Sequence, residues 1–371
     1  MAITAAEVKQ LAQGCGFELA GVAAAVSSED FERFETWRTA GMAGQMSYLT
    51  DRRGDLRADP KNLLPEARSI ICVGKLYNTD APHTSDIEDS ARGWISRYAW
   101  GSDYHHVVRK GLERLVEQIK ERCPEPFQFR ICVDTAPLLE RSYAQAAGLG
   151  WIGKNTCLIN QRQGSWFFLG ELLLSIPFDP DSPAPFRCGS CTRCIDACPT
   201  QAIVPNSKAI VPNSKGGWAL DGRLCISYLT IENRGEIPGQ IAPRMANHLF
   251  GCDICQDVCP WNRRGPITSE PAFAAGQMAP ELTLFADLSE EEFRTMFRHS
   301  PVWRAKYRGF LRNVAVALGN SSEPESARVL EKLAAHPDPL VATTASQALF
   351  RFKQRQTALE DVSVVPCGSG E

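Results

Sequence analysis

Eight cysteines in the middle of the chain carry the plainest chemistry. Cys188, Cys191, Cys194 and Cys198, closed by Pro199, form a C-x2-C-x2-C-x3-C-P run. Cys252, Cys255, Cys259 and Pro260 repeat it without the first cysteine, and Cys225 stands alone between them. Such spacing lets one tight loop present three thiolates to the corners of an iron–sulfur cube, with backbone N–H groups turned toward sulfur. The proline ends the following turn and removes a donor that would need a partner. Zinc sites use paired CxxC units, and disulfide frameworks belong to small secreted chains; neither describes this run. Where two runs share a chain, the fourth cysteine of each crosses to the other cluster. Cys188, Cys191, Cys194 and Cys259 are thus expected to hold one 4Fe–4S cluster. Cys198, Cys252 and Cys255 take the second, and Cys225 is the nearby thiol left to complete it.

Other residues could do acid–base or binding work. Asp134 follows an apolar strand, Phe127 to Val133, at the end where ligands gather in helix-flanked sheets. It could serve as an acid or cap a helix starting near Pro137. Residues 93–106 mix glycine hinges, aromatics, Arg97 and two histidines, His105 and His106, which suit a helix start or a substrate contact equally. Gly150-Trp-Ile-Gly-Lys154-Asn155-Thr156 is a glycine-flanked polar turn. From Phe293 to Arg312 no acid interrupts Arg294, Arg298, Arg304, Lys306, Arg308 and Arg312. Arg304, Arg308 and Arg312 recur every fourth residue, one face of a helix, where they could meet phosphates.

Thr4-Ala-Ala-Glu7 is a capping box that opens an amphipathic helix. Strands are expected over Phe17–Val22, Ser69–Tyr77 and Phe127–Val133, and the apolar run Trp166–Leu174 follows the polar turn. Asp103 caps a helix whose Val108, Leu112, Leu115 and Ile119 mark one face. Pro177, Pro180, Pro183 and Pro185 make a linker into the cysteine-rich part. There Ala202-Ile-Val-Pro-Asn-Ser-Lys208 is repeated at once as 209–215, a duplication that lengthens a surface loop at little entropic cost. Helices over Glu290–Arg312, Glu325–His336 and Leu340–Phe350 suggest one or two HEAT-like repeats. The expected division is 1–178, 179–270 and 271–371.

At 371 residues the chain exceeds one ordinary core, and 44% hydrophobic with 22% charged residues describes a globular protein. The formal net charge of −3 gives no global reason to bind nucleic acid, so that role must rest on the local basic run. Six of the 14 cysteines (Cys15, Cys72, Cys123, Cys132, Cys157, Cys367) lie outside the cluster set and read as buried thiols. The N-terminus has no basic or apolar leader and no stretch approaches a membrane span, so a cytoplasmic protein without membrane contact is expected.

In combination these stretches resemble the epoxyqueuosine reductases. The resemblance rests on Ser96-Arg97-Tyr98 with Asp103-Tyr104-His105, on Val133-Asp134-Thr-Ala-Pro137 and on Gly150 through Thr156. It also rests on Cys188 through Cys198, Cys225-Ile-Ser-Tyr-Leu-Thr-Ile231 and Gly251 through Pro260. It implies an α+β chain: an N-terminal α/β cobalamin-binding domain similar to reductive dehalogenases, a ferredoxin-like domain with two 4Fe–4S clusters, and a C-terminal all-α HEAT-like part. The implied reaction converts the epoxide of epoxyqueuosine in a tRNA anticodon loop to an alkene, the last step of queuosine synthesis. Asp134 matches the family's proton donor, for which a buried carboxylic acid of raised pKa is expected. Asp103-Tyr-His105 imitates the start of a DxHxxG cobalamin motif, but residue 108 is valine, so base-off cobalamin without a histidine ligand is implied.

Candidate cobalamin contacts are Arg57, Arg97, Tyr98, Lys154, Asn155, Ser227, Tyr228 and Asp253, with Tyr104 or Trp261 as stacking surfaces for anticodon bases. The implied partners are tRNA and an external one-electron donor such as a flavodoxin or ferredoxin system, with the protein a monomer. Two other classes compete. A reductase of a small halogenated or epoxide substrate would not use the basic C-terminal helices, and a bare electron carrier leaves residues 1–175 unexplained.

Overall fold

The structure, a computed structural model, describes residues 3–206, 217–276 and 278–363. The chain forms two compact units, each assembled from separated stretches. The first comprises Met1–His83, Arg97–Cys225 and Asp253–Gly276, and the second Thr84–Ser96, Ile226–Cys252 and Gln277–Glu371.

In the first unit the capping box opens α1 (Ala5–Gly14) as expected: Glu7 N–H donates to Thr4 Oγ1, and Thr4 N–H to Glu7 Oε2 at 2.8 Å. A four-stranded sheet follows from β1 (Leu19–Ala24), β2 (Ser69–Leu76), β3 (Phe129–Cys132) and β4 (Phe167–Leu174), in the order β1-β2-β4-β3. Every pairing is antiparallel. Helices do flank the sheet, but in an antiparallel sheet the strand ends alternate. No common carboxyl edge exists, and the ligand rule for parallel sheets does not place Asp134.

Both sheet faces are buried, and the period of two sorts their residues. Ile71, Val73, Phe168, Leu172 and Leu174 join α1 and α2 (Tyr104–Arg122) in one core. Ile70, Cys72, Leu76, Phe167 and Leu173 face α3 (Glu140–Ala146) in the other. Gly170 makes the first packing possible: a Cβ there would lie 2.6 Å from Val108 of α2. The same alternation turns Glu171 to the α3 side, opposite Cys72 on β2 and Cys132 on β3. The hairpin Ile203–Asn206 with Gly217–Leu220 flanks the repeated heptad, most of which lies outside the described residues, as does Cys367.

In the second unit, Trp94–Ile95 pairs in parallel with His248–Phe250. Around it stand α4 (Ile226–Ile231), α5 (Glu290–Phe297), α6 (Tyr307–Asn320), α7 (Glu325–Ala334) and α8 (Pro339–Ser363). A continuous helix from Glu290 to Arg312 does not form. Pro301 cannot continue it, a 3-10 turn spans Pro301–Ala305, and Lys306 takes a left-handed φ of 61°. The helices α6, α7 and α8 pack mutually, with Gly319 close enough to Ala348 that a Cβ would approach to 2.7 Å. Among the described residues no helix is long and apolar enough to cross a membrane.

Candidate active site

Asp134 sits at the corner between β3 and α3. Its φ of +52° is left-handed, which costs a non-glycine residue on the order of 1 kcal/mol. Its N–H donates to Glu140 Oε1 at 2.6 Å. The side chain is 36% exposed, so the expectation of a buried acid is not met. What faces it is a histidine. Asp103 caps α2, accepting the His105 N–H at 3.0 Å, and this sets His105 on the first turn. His105 Nδ1 lies 2.7 Å from Asp103 Oδ1, and Nε2 lies 3.2 Å from Asp134 Oδ2. Burial disfavours charge on the ring, but the bonds to Asp103 and Asp134 and their negative charges prevail, and its pKa rises to about 9. At neutral pH His105 is an imidazolium donating to two carboxylates.

Sequence reading left His105 as a helix start or substrate contact and missed this role. The signal that could have found it is the pair of sequence distances, Asp103 capping and His105 two residues on. Both ring nitrogens of His105 are engaged by carboxylates.

Behind the corner the polarity is unusual. Glu171 is fully buried, and the partner of its carboxyl is a second carboxyl, that of Glu140, rather than a cation. Burial, then the charge of Glu140, drives its proton affinity well above the carboxylate range. Burial and the nearby Asp134 raise Glu140 to about 7. Glu140 keeps some surface exposed, yet its carboxyl lies deep among protein atoms. Burial likewise pushes Cys132 up to about 12 and marks it as an inert thiol.

The cysteine loops of the first unit fit clusters by their donors. Cys194 is pushed up to about 12 by burial and then by Cys188, Cys259 and Cys191, so these thiols crowd one another. Bound iron supplies positive charge and deprotonates its ligands. Among the described residues no three His, Cys, Asp or Glu side chains converge as a single-ion site requires. A cube asks instead for four thiolates, each on its own iron. The Ala202 N–H donates to Cys198 Sγ at 3.3 Å, the kind of contact that tunes a cluster thiolate. Cys157, grouped with the scattered thiols, packs beside Cys255, whose hydrogen bond lowers its pKa against the effect of burial.

Several candidate cobalamin contacts are engaged elsewhere. Lys154 Nζ donates to the carbonyls of Gly189 and Cys191 at 2.8 and 2.9 Å, and Asn155 Nδ2 to that of Cys255 at 3.2 Å. These two clamp the cysteine loops. Arg57 is buried and donates to the Tyr48 and Arg53 carbonyls. Arg97, also buried, donates to Thr79 and Ala81 and lies 4.5 Å from the Trp100 ring centroid. Its N–H donates to buried Asp253 at 2.5 Å. These five side chains each hold a protein group. Tyr98 and Ser227 keep exposed surface, while Tyr228 is 9% exposed. Tyr104 stacks on Phe168 at 4.2 Å and is buried, which removes it as a base platform; Trp261 packs edge-on to Trp151 and is part-exposed.

The basic run divides in the second unit. Arg312 is fully buried and cannot reach a phosphate. Its guanidinium donates to the carbonyls of Leu229, Asn233 and Gly235 and to Asn313 Oδ1, while Asn313 Nδ2 donates to Thr230 and Leu249. Arg304 pairs with Glu232 at 2.7 Å. Arg308 is 56% exposed with Asp338 at 3.5 Å.

Comparison with known proteins agrees with this layout. Residues 57–135 match the family model described as epoxyqueuosine reductase QueG, DUF1730, and residues 187–262 one described as a 4Fe–4S double cluster binding domain. The epoxyqueuosine reductase of Xanthomonas campestris pv. campestris is 42% identical over 334 residues, covering 89% of this chain and 90% of that protein. The chain belongs to the epoxyqueuosine reductase family. As a member of that family it is an oxidoreductase with a double-cluster domain. The Escherichia coli K12 epoxyqueuosine reductase is 38% identical, covering 95% of this chain and 91% of its own. In structure the chain superimposes with a TM-score of 0.83 and 29% identity on an epoxyqueuosine reductase crystallised with an epoxyqueuosine-modified tRNA-Tyr stem loop, covering 99% of this chain and 94% of that one. A Bacillus subtilis epoxyqueuosine reductase, whose catalytic loop is swung out of the active site, gives a TM-score of 0.82 at 28% identity, covering 98% and 95%.

Proposed function

We propose that this chain reduces the epoxide of epoxyqueuosine in a tRNA anticodon loop to the alkene of queuosine, the last step of queuosine synthesis. The overall change takes two electrons and two protons, and the epoxide oxygen leaves as water. The observation that carries the reading is the Asp134 carboxyl 3.2 Å from an imidazolium, in a family that acts on this epoxide. The proton on His105 Nε2 passes through the Asp134 carboxyl to the departing oxygen, and solvent supplies the second proton. Asp103 fixes the His105 ring and stabilises its charge. An exposed Asp134 suits this order of events, since the substrate must reach it while its reservoir stays inside.

Cys188, Cys191, Cys194 and Cys259 hold one cluster, and Cys198, Cys225, Cys252 and Cys255 the other, on the spacing of the two runs. Lys154 and Asn155 brace the loops of these ligands. Base-off cobalamin, when bound, supplies a metal centre able to deliver two electrons that the clusters pass singly. Residues 1–178 hold the catalytic part, 179–270 the clusters and 271–371 the helical part. Arg308, with Arg304 beside it, contacts tRNA phosphate. An external one-electron donor of the flavodoxin or ferredoxin type reduces the monomer in the cytoplasm. A bare electron carrier would have no use for the Asp103–His105–Asp134 set.

The test is conversion itself. Protein reconstituted with iron, sulfide and cobalamin is reduced and given a stem loop carrying epoxyqueuosine, and the nucleosides are read by mass. Loss of one oxygen is expected. Protein that shows cluster and corrin spectra and binds the stem loop, yet leaves the epoxide intact, overturns the proposal.

A further inference from the structure

We propose that Glu140 is a positioning residue for the acid: it accepts the Asp134 N–H and so holds the corner in the left-handed turn that sets the Asp134 carboxyl beside His105. This rests on the reading of Asp134 given above.

Three observations meet at this point. The backbone of Asp134 takes a φ of +52°, a conformation a non-glycine residue keeps only when its surroundings enforce it. The enforcing contact is a 2.6 Å hydrogen bond from that residue's N–H to Glu140 Oε1, at the first turn of α3. The third observation is Glu171. Strand alternation places it on the face of β4 toward α3, between Cys72 and Cys132 of the neighbouring strands, fully buried and hydrogen-bonded carboxyl to carboxyl with Glu140.

A carboxylate left charged in such a place is too costly, so Glu171 keeps its proton. Glu140, which accepts the Glu171 proton in a hydrogen bond, takes the negative charge of the pair as pH rises through about 7. The charged and titratable groups that bear on Glu140 include Asp134, Glu171, Arg141 and Arg57, with the buried thiols Cys72 and Cys132, and Arg141 is itself held by the Thr156 carbonyl at 2.5 Å. A carboxylate acceptor bonds an N–H more strongly than a neutral one. The pair therefore serves as a latch: protonated Glu171 behind, charged Glu140 in front, and the strained Asp134 peptide locked onto it. Packing alone would have been served by leucine or glutamine at 171.

The experiment measures amide hydrogen exchange of residues 133–139 in the reconstituted full chain, together with stem-loop turnover. Glu140→Ala removes the acceptor, and Glu140→Asp withdraws it while keeping the charge. Both are expected to speed exchange of that segment at least tenfold, leave the rest of the sheet protected, and lower kcat at least tenfold with KM unchanged. Glu140→Gln keeps an oxygen acceptor and should stay within threefold of wild type in both readouts, whereas Glu140→Met, which fills a similar volume without an acceptor, should loosen the segment as Glu140→Ala does, an outcome that a purely packing role would not show. Should Glu140→Ala not fold, Glu140→Asp gives the same reading. Wild-type exchange in Glu140→Ala or in Glu140→Asp overturns the proposal, as does equal loosening in Glu140→Gln. Faster exchange with unchanged turnover upholds the latch and instead removes Asp134 from the chemistry, so the two readings fail separately.

Discussion

Two places in this protein bury charge, and they do so for opposite ends. In the second unit, Arg312 is fully buried with four carbonyl-type acceptors around its guanidinium. Every strong donor direction is filled, and the result is rigidity: the helix after Cys225 is tied by its carbonyls to α6. In the first unit, the corner at Asp134 gathers carboxylates with one imidazolium, sets Glu171 against another carboxyl instead of a cation and bends Asp134 into a left-handed turn. Satisfied charge makes structure; proton-bearing charge at a strained corner makes chemistry.

The contrast can be broken from either side. The largest effect is expected from His105→Ala, which removes the proton source while leaving Asp134 in place: turnover should fall about a hundredfold, with stem-loop affinity unchanged. In the wild type the same residue sets a pH limit. Because its folded pKa is raised to about 9 from 6.5, its stabilising charge is complete below about 6.5 and is lost as pH rises through 9. A pH–rate profile should therefore show an alkaline limb near 9, and His105→Gln should flatten it.

On the other side, Arg312→Met strands the carbonyls of Leu229, Asn233 and Gly235. A loss of about 3 kcal/mol is expected in denaturant unfolding of the full chain, followed by a probe in the second unit. The salt dependence of stem-loop binding should not change, because Arg312 meets no phosphate. The smallest effect belongs to exposed Arg308. Its change to alanine should leave stability alone and reduce the slope of log affinity against log salt by about one.

How far these two places could be read from the sequence follows from what each depends on. The clusters were legible because ligand spacing is local: Cys188 to Cys198 says almost everything about its loop. So were the Thr4–Glu7 capping box, the α2 face through Val108 and Leu115, and the Asp103 cap. The Arg304–Arg308–Arg312 face was misread because periodicity was carried through Pro301, and once the helix restarts at Tyr307 the third arginine points inward. Lys154 and Asn155 were placed in the site region, but their targets are backbone carbonyls at residues 189, 191 and 255, which no side-chain pattern reveals. Glu171 sat unnoticed inside the apolar run Phe167–Leu174. A single acid in a two-faced buried strand was the available clue, and its partner Glu140 is brought to it only by the fold.

The account turns on Asp134 as the proton donor. The direct measurement is the rate at which reconstituted Asp134→Asn protein, with full cluster and corrin spectra, converts epoxyqueuosine in a bound stem loop under single-turnover conditions. A fall of at least a hundredfold with unaltered stem-loop binding is predicted. Conversion at the wild-type rate would contradict it.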